Sequence, residues 1–304
     1  MNSLARVHAT LAGQPVDRRA IAPVLSLYGA KLTGCPLPQY YTDPAAYARG
    51  QAAVRETFQP DILFGPFSLT ALGEVFGSEV RFYADQPPNI RRPAIASAEA
   101  WDTLTLPVDH PRLDFFPAAI RRMAAELEGD APVAAVLPPP TDFPILVMGL
   151  ETWLATVLFE PERARAIVDQ VIPLFVRLGN QMFEAGAALL VLAGGLLSPA
   201  VVTRDMVMNF SRPILETALP QLHGPVVLHH GGAPFLAHLD HSESCPHVGN
   251  GVRAEEFQHR PHRGDPRNLQ GPPEGHGPQW HRGLLSGSHH HHHGPGFQRD
   301  RLLQ

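Results

Sequence analysis

Apolar positions follow two rhythms along the first 240 residues. Runs with helical spacing alternate with short stretches that are apolar throughout. PAAYARGQAAVRETF (44–58) follows Asp43, a side chain suited to cap a helix, and has Pro44 at the first helical position, which predicts a helix. Residues 112–128 place Leu113, Phe116, Ile120, Met123, Ala124 and Leu127 on one helical face. LETWLATVLF (150–159) reads as a helix, and Pro161 opens another that extends to about Ala185, with a bend expected near Pro173. A helical stretch is also predicted over 202–222. Between these lie strand candidates: DILFGPF (61–67), the alternating EVRFYAD (79–85), PVAAVLPPP (132–140), ALLVLAGG (188–195) and VVLHH (226–230).

Strands that alternate with helices and are apolar on both faces predict a parallel sheet covered by helices. No G-x-G-x-x-G or G-x-x-x-x-G-K stretch marks a strand-to-helix turn, so an α/β fold of the (β/α)8 TIM-barrel type is expected rather than an open nucleotide-binding sheet. In such a barrel chemistry sits where strands end. The residues expected there are Tyr28, Phe67 with Ser68, Thr141 with Asp142, Gly194 with Gly195, and His229 with His230.

Composition changes the picture after residue 240. Residues 241–304 hold 11 of the 17 histidines, 10 glycines and 7 prolines, with one alanine (Ala254) and no Ile or Met. That segment carries little apolar surface to offset the entropy of ordering. The chain therefore divides into a partial barrel, 1–240, and a His/Gly/Pro-rich tail, 241–304, expected to be disordered or frame-shifted. Three readings of the tail stay open: an out-of-frame translation of GC-rich DNA, a natural metal-binding tail, or an appended purification tag around His289–His293. A net charge of −5 gives no electrostatic reason to expect nucleic acid or an anionic membrane. The absence of a long apolar run and the presence of only two cysteines, Cys35 and Cys245, suit a soluble cytoplasmic protein.

Four stretches together resemble the uroporphyrinogen decarboxylase superfamily. ARVHATLAGQPVDRRAIAPVLSLYGAKLTG is similar to the family opening of helix, Gly-x-x-x-Asp-Arg turn and first strand. FQPDILFGPFSLTALGEVFGSEVRF resembles the second-strand segment of its methyltransferase branch, and FEAGAALLVLAGGLLSPAVVTRDMVMNFSRPIL a later strand and helix. GPVVLHHGGAPFLAHL resembles the methyltransferases' strand with a Leu-His-x-Cys-Gly motif. The likeness covers about residues 4–240. It implies a (β/α)8 barrel, a corrinoid as substrate or cofactor, a small-molecule or corrinoid-protein partner, and methyl transfer to a thiol or similar acceptor.

At the mouth of such a barrel Ser68, Asp142 and His229 are the candidate catalytic groups and Tyr28 and His230 the candidate cofactor contacts, with Asp142, in the Pro-rich turn PPPTDFP, equally suited to a capping role. His229 matches a zinc ligand of that branch, but Gly231 stands where the partner cysteine belongs. One ligand does not make a zinc site, so His229 stays open between substrate contact, metal ligand and structural histidine. The decarboxylase branch, of porphyrin biosynthesis, implies first-strand arginines that VLSLYGAKL lacks, and an essential aspartate that aligns with about Ser68. Decarboxylation remains the enzymatic alternative, and a degenerate, non-catalytic tetrapyrrole-binding barrel the other. Elsewhere, Asp61 is expected to be a solvated cap, Arg91 and Arg92 a solvated loop, and Glu151 a first-turn acid.

Overall fold

A computed structural model describes residues 1–229 apart from Val108 and Glu128. The expectations for His230, Gly231, Cys245 and the tail concern residues outside this range.

The chain forms α1 (Ser3–Leu11), α2 (Ser26–Thr33), α3 (Leu37–Tyr40), α4 (Pro44–Phe58), β1 (Leu63–Phe64), α5 (Thr70–Glu74), β2 (Glu79–Arg81), β3 (Asn89–Arg92), α6 (Phe115–Leu127), β4 (Val133–Leu137), α7 (Phe143–Met148), α8 (Leu150–Phe159), α9 (Pro161–Glu184), β5 (Ala187–Ala193), α10 (Arg204–Met206), α11 (Arg212–Ala218) and β6 (Val226–His229). Asp43 caps α4 as expected, its carboxylate accepting from the Ala45 N–H at 2.8 Å. The predicted 202–222 stretch is broken into α10, a π-helical turn Val207–Ser211, α11 and a 3-10 turn.

The four strands β1, β4, β5 and β6 form one parallel sheet in the order β1-β4-β5-β6. Alternation of side chains splits its core in two. Leu63, Val133, Ala135, Leu137, Leu190 and Leu192 pack among the helices, whereas Phe64, Ala134, Val136, Leu189 and Val191 form a second cluster with Val7 of α1. Burial on both faces explains why these strands read as unbroken apolar runs. A close helix crossing supports the β1 side. A side-chain carbon at Gly29 of α2 would lie 2.6 Å from the Gly50 backbone of α4, so the two helices meet through glycine.

Three expectations are corrected. No strand forms around Tyr28; SLYGAKLT is helix α2, ended by Gly34 in the left-handed region (φ 64°). EVRFYAD does not join the parallel sheet: Glu79–Arg81 pairs antiparallel with Asn89–Arg92 in a separate ribbon. Arg91 and Arg92 consequently lie on a strand, where both make ion pairs with Glu79. Asp61 is no solvated cap either. It is fully buried before β1, accepting hydrogen bonds from Ser3 Oγ (2.9 Å), Arg6 Nη1 (2.6 Å), the Ile21 N–H (2.7 Å) and both terminal nitrogens of Arg18. Burial alone would raise its pKa. The Arg18 guanidinium, the Ile21 N–H and the Ser3 hydroxyl outweigh it and hold the carboxyl well below its ordinary range.

Among the described residues no helix is long and apolar enough to cross a membrane.

Candidate functional site at the strand ends

The sheet order sets out the candidate residues as a row. Ser68 follows β1, Thr141 and Asp142 follow β4, Gly194 and Gly195 follow β5, and His229 ends β6. With parallel strands about 4.8 Å apart, four strand ends span about 14 Å. Beside these strand ends Phe67, Leu69 and Ala193 are partly buried and pack on the second core cluster.

At one end the chain after β1 is clasped by Tyr47, a fully buried residue of α4. Its phenol donates to the carbonyls of Gly65 (2.8 Å) and Phe64 (3.2 Å). Beyond that clasp Ser68 is only 2% exposed, and its hydroxyl has no hydrogen-bond partner among the described residues. A buried hydroxyl without a partner costs free energy and is a mark of functional sites.

In the middle of the row Asp142 is 6% exposed. Its Oδ2 accepts from the Gly195 N–H, the Leu196 N–H lies 3.3 Å from both carboxylate oxygens, and the Thr141 hydroxyl donates to Oδ1 at 3.1 Å. Burial, the largest influence, pushes its pKa up to about 6, while the N–H groups of Gly195 and Leu196 and the Thr141 hydroxyl pull it back. Around it, Trp153 Nε1 donates to the Thr141 carbonyl (2.7 Å) and Ser211 Oγ to the Leu196 carbonyl (3.0 Å). Sequence reasoning did not single out Tyr47, Trp153 or Ser211. The π-helical turn that holds Ser211 is the kind of irregularity found near functional sites, but its sequence, VMNFS, does not advertise it.

At the far end His229 is exposed, its backbone level with Ala193 of β5. Tyr28 is not part of the row. It lies 39% exposed on α2, edge-on to Phe58, with Lys31 over its ring. The structure thus brings Ser68, Asp142 and His229 to one edge and leaves Tyr28 away from any strand end.

No group of three or more His, Cys, Asp or Glu among the described residues is arranged to hold a metal. His229 is the one described residue of the proposed zinc set, and the sequence supplies Gly231 where a sulfur is needed, so these residues do not fit zinc. Two concavities, of about 500 and 210 Å³, lie elsewhere, around Arg55 of α4 and Glu126 of α6. The larger is lined by the Arg55–Asp130 ion pair and neighbours no strand end of the row.

Comparison with known proteins gives this edge a context. The chain is 22% identical over 233 residues to the methylcobamide:CoM methyltransferase MtaA of Methanosarcina barkeri, covering 74% of this chain and 68% of that protein. A match of the same extent and identity is found in the Fusaro strain. Among solved structures, a methyltransferase from Methanosarcina mazei superposes with a TM-score of 0.67 at 20% identity, over 75% of this chain and 69% of that one, which supports the barrel-type α/β fold. Residues 2–271 match the uroporphyrinogen decarboxylase (URO-D) family, and the chain belongs to it.

Proposed function

We propose that the chain is an enzyme of the methyltransferase branch of its family, binding a corrinoid across the strand-end row and passing a methyl group to a small acceptor. The observation that carries this reading is the placement of His229, the residue that matches the methyltransferases' histidine, at the end of β6 in line with Ser68. The corrinoid supplies a transferable methyl group when bound. The protein's share is to bind and orient: the Ser68 hydroxyl pairs with a polar rim group that relieves its buried vacancy, Phe67, Leu69, Ala193 and Val227 cover an apolar face, and the His229 imidazole meets the acceptor from the open side. No step is assigned to zinc.

Decarboxylation of uroporphyrinogen fits less well. The described strand ends, Gly65–Ser68, Pro138–Asp142, Gly194–Ser198 and His229, present no Arg or Lys to pair with substrate carboxylates.

The test is titration of the purified chain with methylcobalamin, followed by its visible absorbance, with and without a thiol. Binding that weakens about tenfold in Ser68→Val, and demethylation that is lost in His229→Gln, are expected. Failure of the wild-type chain to bind methylcobalamin sinks the proposal.

A further inference from the structure

The groups in the row are held differently. The hydroxyl of Ser68 has no partner among the described residues, whereas both oxygens of Asp142 are turned inward onto the protein's own backbone. We propose that Asp142 is a positioning residue rather than one that touches substrate: its carboxyl group joins the loop after β4 to the turn after β5, and the joint fixes the strand-end row. The inference rests on the reading above only in taking this edge as the binding side.

The joint is built from both sides. Pro139 packs so tightly on the turn that a side-chain carbon at Gly194 would meet its ring at 2.7 Å. Trp153 fixes the carbonyl of Thr141, one residue before Asp142, and Ser211 fixes that of Leu196, one residue after Gly195. The carboxyl group is the piece between these two anchored segments. Its two N–H donors belong to consecutive residues, Gly195 and Leu196, so loss of the carboxyl frees both at once.

The elements packed around the 3-10 turn Pro140–Asp142 are α7, α9 and α11, and α8 reaches it through Trp153 while its one charged side chain, Glu151, lies exposed. Helix α7 (FPILVM) carries no charged side chain. On α9, Arg163 pairs with Asp102, Arg165 with Asp169 and Arg177 with Asp109, and Glu162 and Glu184 lie at exposed positions. On α11, Arg212 pairs with Glu216. Among the described residues the other titratable group on the edge is His229, level with Ala193, two residues before Gly195.

The joint therefore carries a signature. A carboxyl held near 6 when buried returns toward its ordinary 3.8 if opening hydrates it. Opening is then favoured by ionisation, and the joint is tighter below pH 6 than above it. For those two values, linkage gives about a tenfold change in the opening equilibrium between pH 5 and pH 7.5.

Amide hydrogen exchange of the full, ligand-free chain reads this directly at Gly195 and Leu196, after correction for intrinsic exchange rates. The expected result is about tenfold greater protection at pH 5 than at pH 7.5 in the wild type and in His229→Gln, and a flat profile in Asp142→Asn. A pH-independent wild-type profile overturns the proposal, even if no variant folds. So does a trend that persists in Asp142→Asn or vanishes in His229→Gln. Because no ligand is present, a wrong function and a wrong joint give separate failures.

Discussion

Two buried aspartates stand at opposite ends of the parallel sheet, and their surroundings treat the same side chain in opposite ways. Asp61, before β1, meets two guanidiniums, a hydroxyl and a backbone N–H, and its carboxyl is held well below the ordinary range. Asp142, after β4, meets only neutral donors, and burial pushes it up to about 6. Opposite formal charge compensates a buried carboxylate; backbone dipoles and a hydroxyl do so in part. The end with saturated charge is where the chain is tied together: Arg6 and Arg18 bring the N-terminal 20 residues onto the sheet. The end with an orphan hydroxyl and an incompletely compensated acid is where a barrel places its chemistry.

The comparison breaks most visibly at Asp61. Removing its carboxyl in Asp61→Ala leaves buried Arg6 without one of its two carboxylate partners, and urea unfolding is expected to show a loss of about 3 to 5 kcal/mol at pH 7. The sign for Asp61 is that of a depressed carboxyl: its contribution is present above the ordinary carboxylate pKa and is lost as pH falls through the lower folded value. Asp142 should behave in reverse. Its raised carboxyl contributes stability below about pH 4 that is lost as pH rises through 6. Wild type measured against Asp142→Asn is therefore expected to gain about 2.4 kcal/mol on going from pH 7.5 to pH 4. A difference that stays flat with pH would mean that Asp142 is compensated as fully as Asp61.

Smaller effects sharpen the same contrast. Gly194→Ala pushes a methyl into Pro139, and thermal melts should report a loss of about 1 to 3 kcal/mol. Ser68→Ala deletes a buried hydroxyl that has no partner among the described residues, so a change within about 1 kcal/mol, neutral or stabilising, is expected in the same assay. A large loss there would show that the hydroxyl is engaged within the protein.

What was legible in the sequence follows from how local each cause is. Helix α4 was readable because Asp43 and Pro44 set its start within two residues, and β4 and β5 because sheets covered on both faces demand apolar runs. Tyr28 was misplaced because SLYGAKLT is short and apolar enough to pass for a strand; Gly34, with its left-handed backbone, was the helix stop signal that went unused. The β2–β3 ribbon was missed because its second strand, NIRR, is polar and takes its structure from pairing with Glu79–Arg81. Asp61 was misjudged because its partners, Arg6 and Arg18, lie 55 and 43 residues away. At the candidate site the strand ends were legible, and Ser68, Asp142 and His229 do share an edge. The engagement of Asp142 with Gly195, 53 residues on, was not.

The glycine crossing of α2 and α4 bears on how the chain comes off the ribosome. Gly29 and Gly50 are close in sequence, whereas β1 must wait for β4, whose Val133 pairs with Leu63. Contacts of short sequence separation close first. A two-helix unit is expected once the chain has emerged past Phe58, well before any strand of the sheet has a neighbour. The first β strand would then be delivered to a helical surface that is already waiting for it.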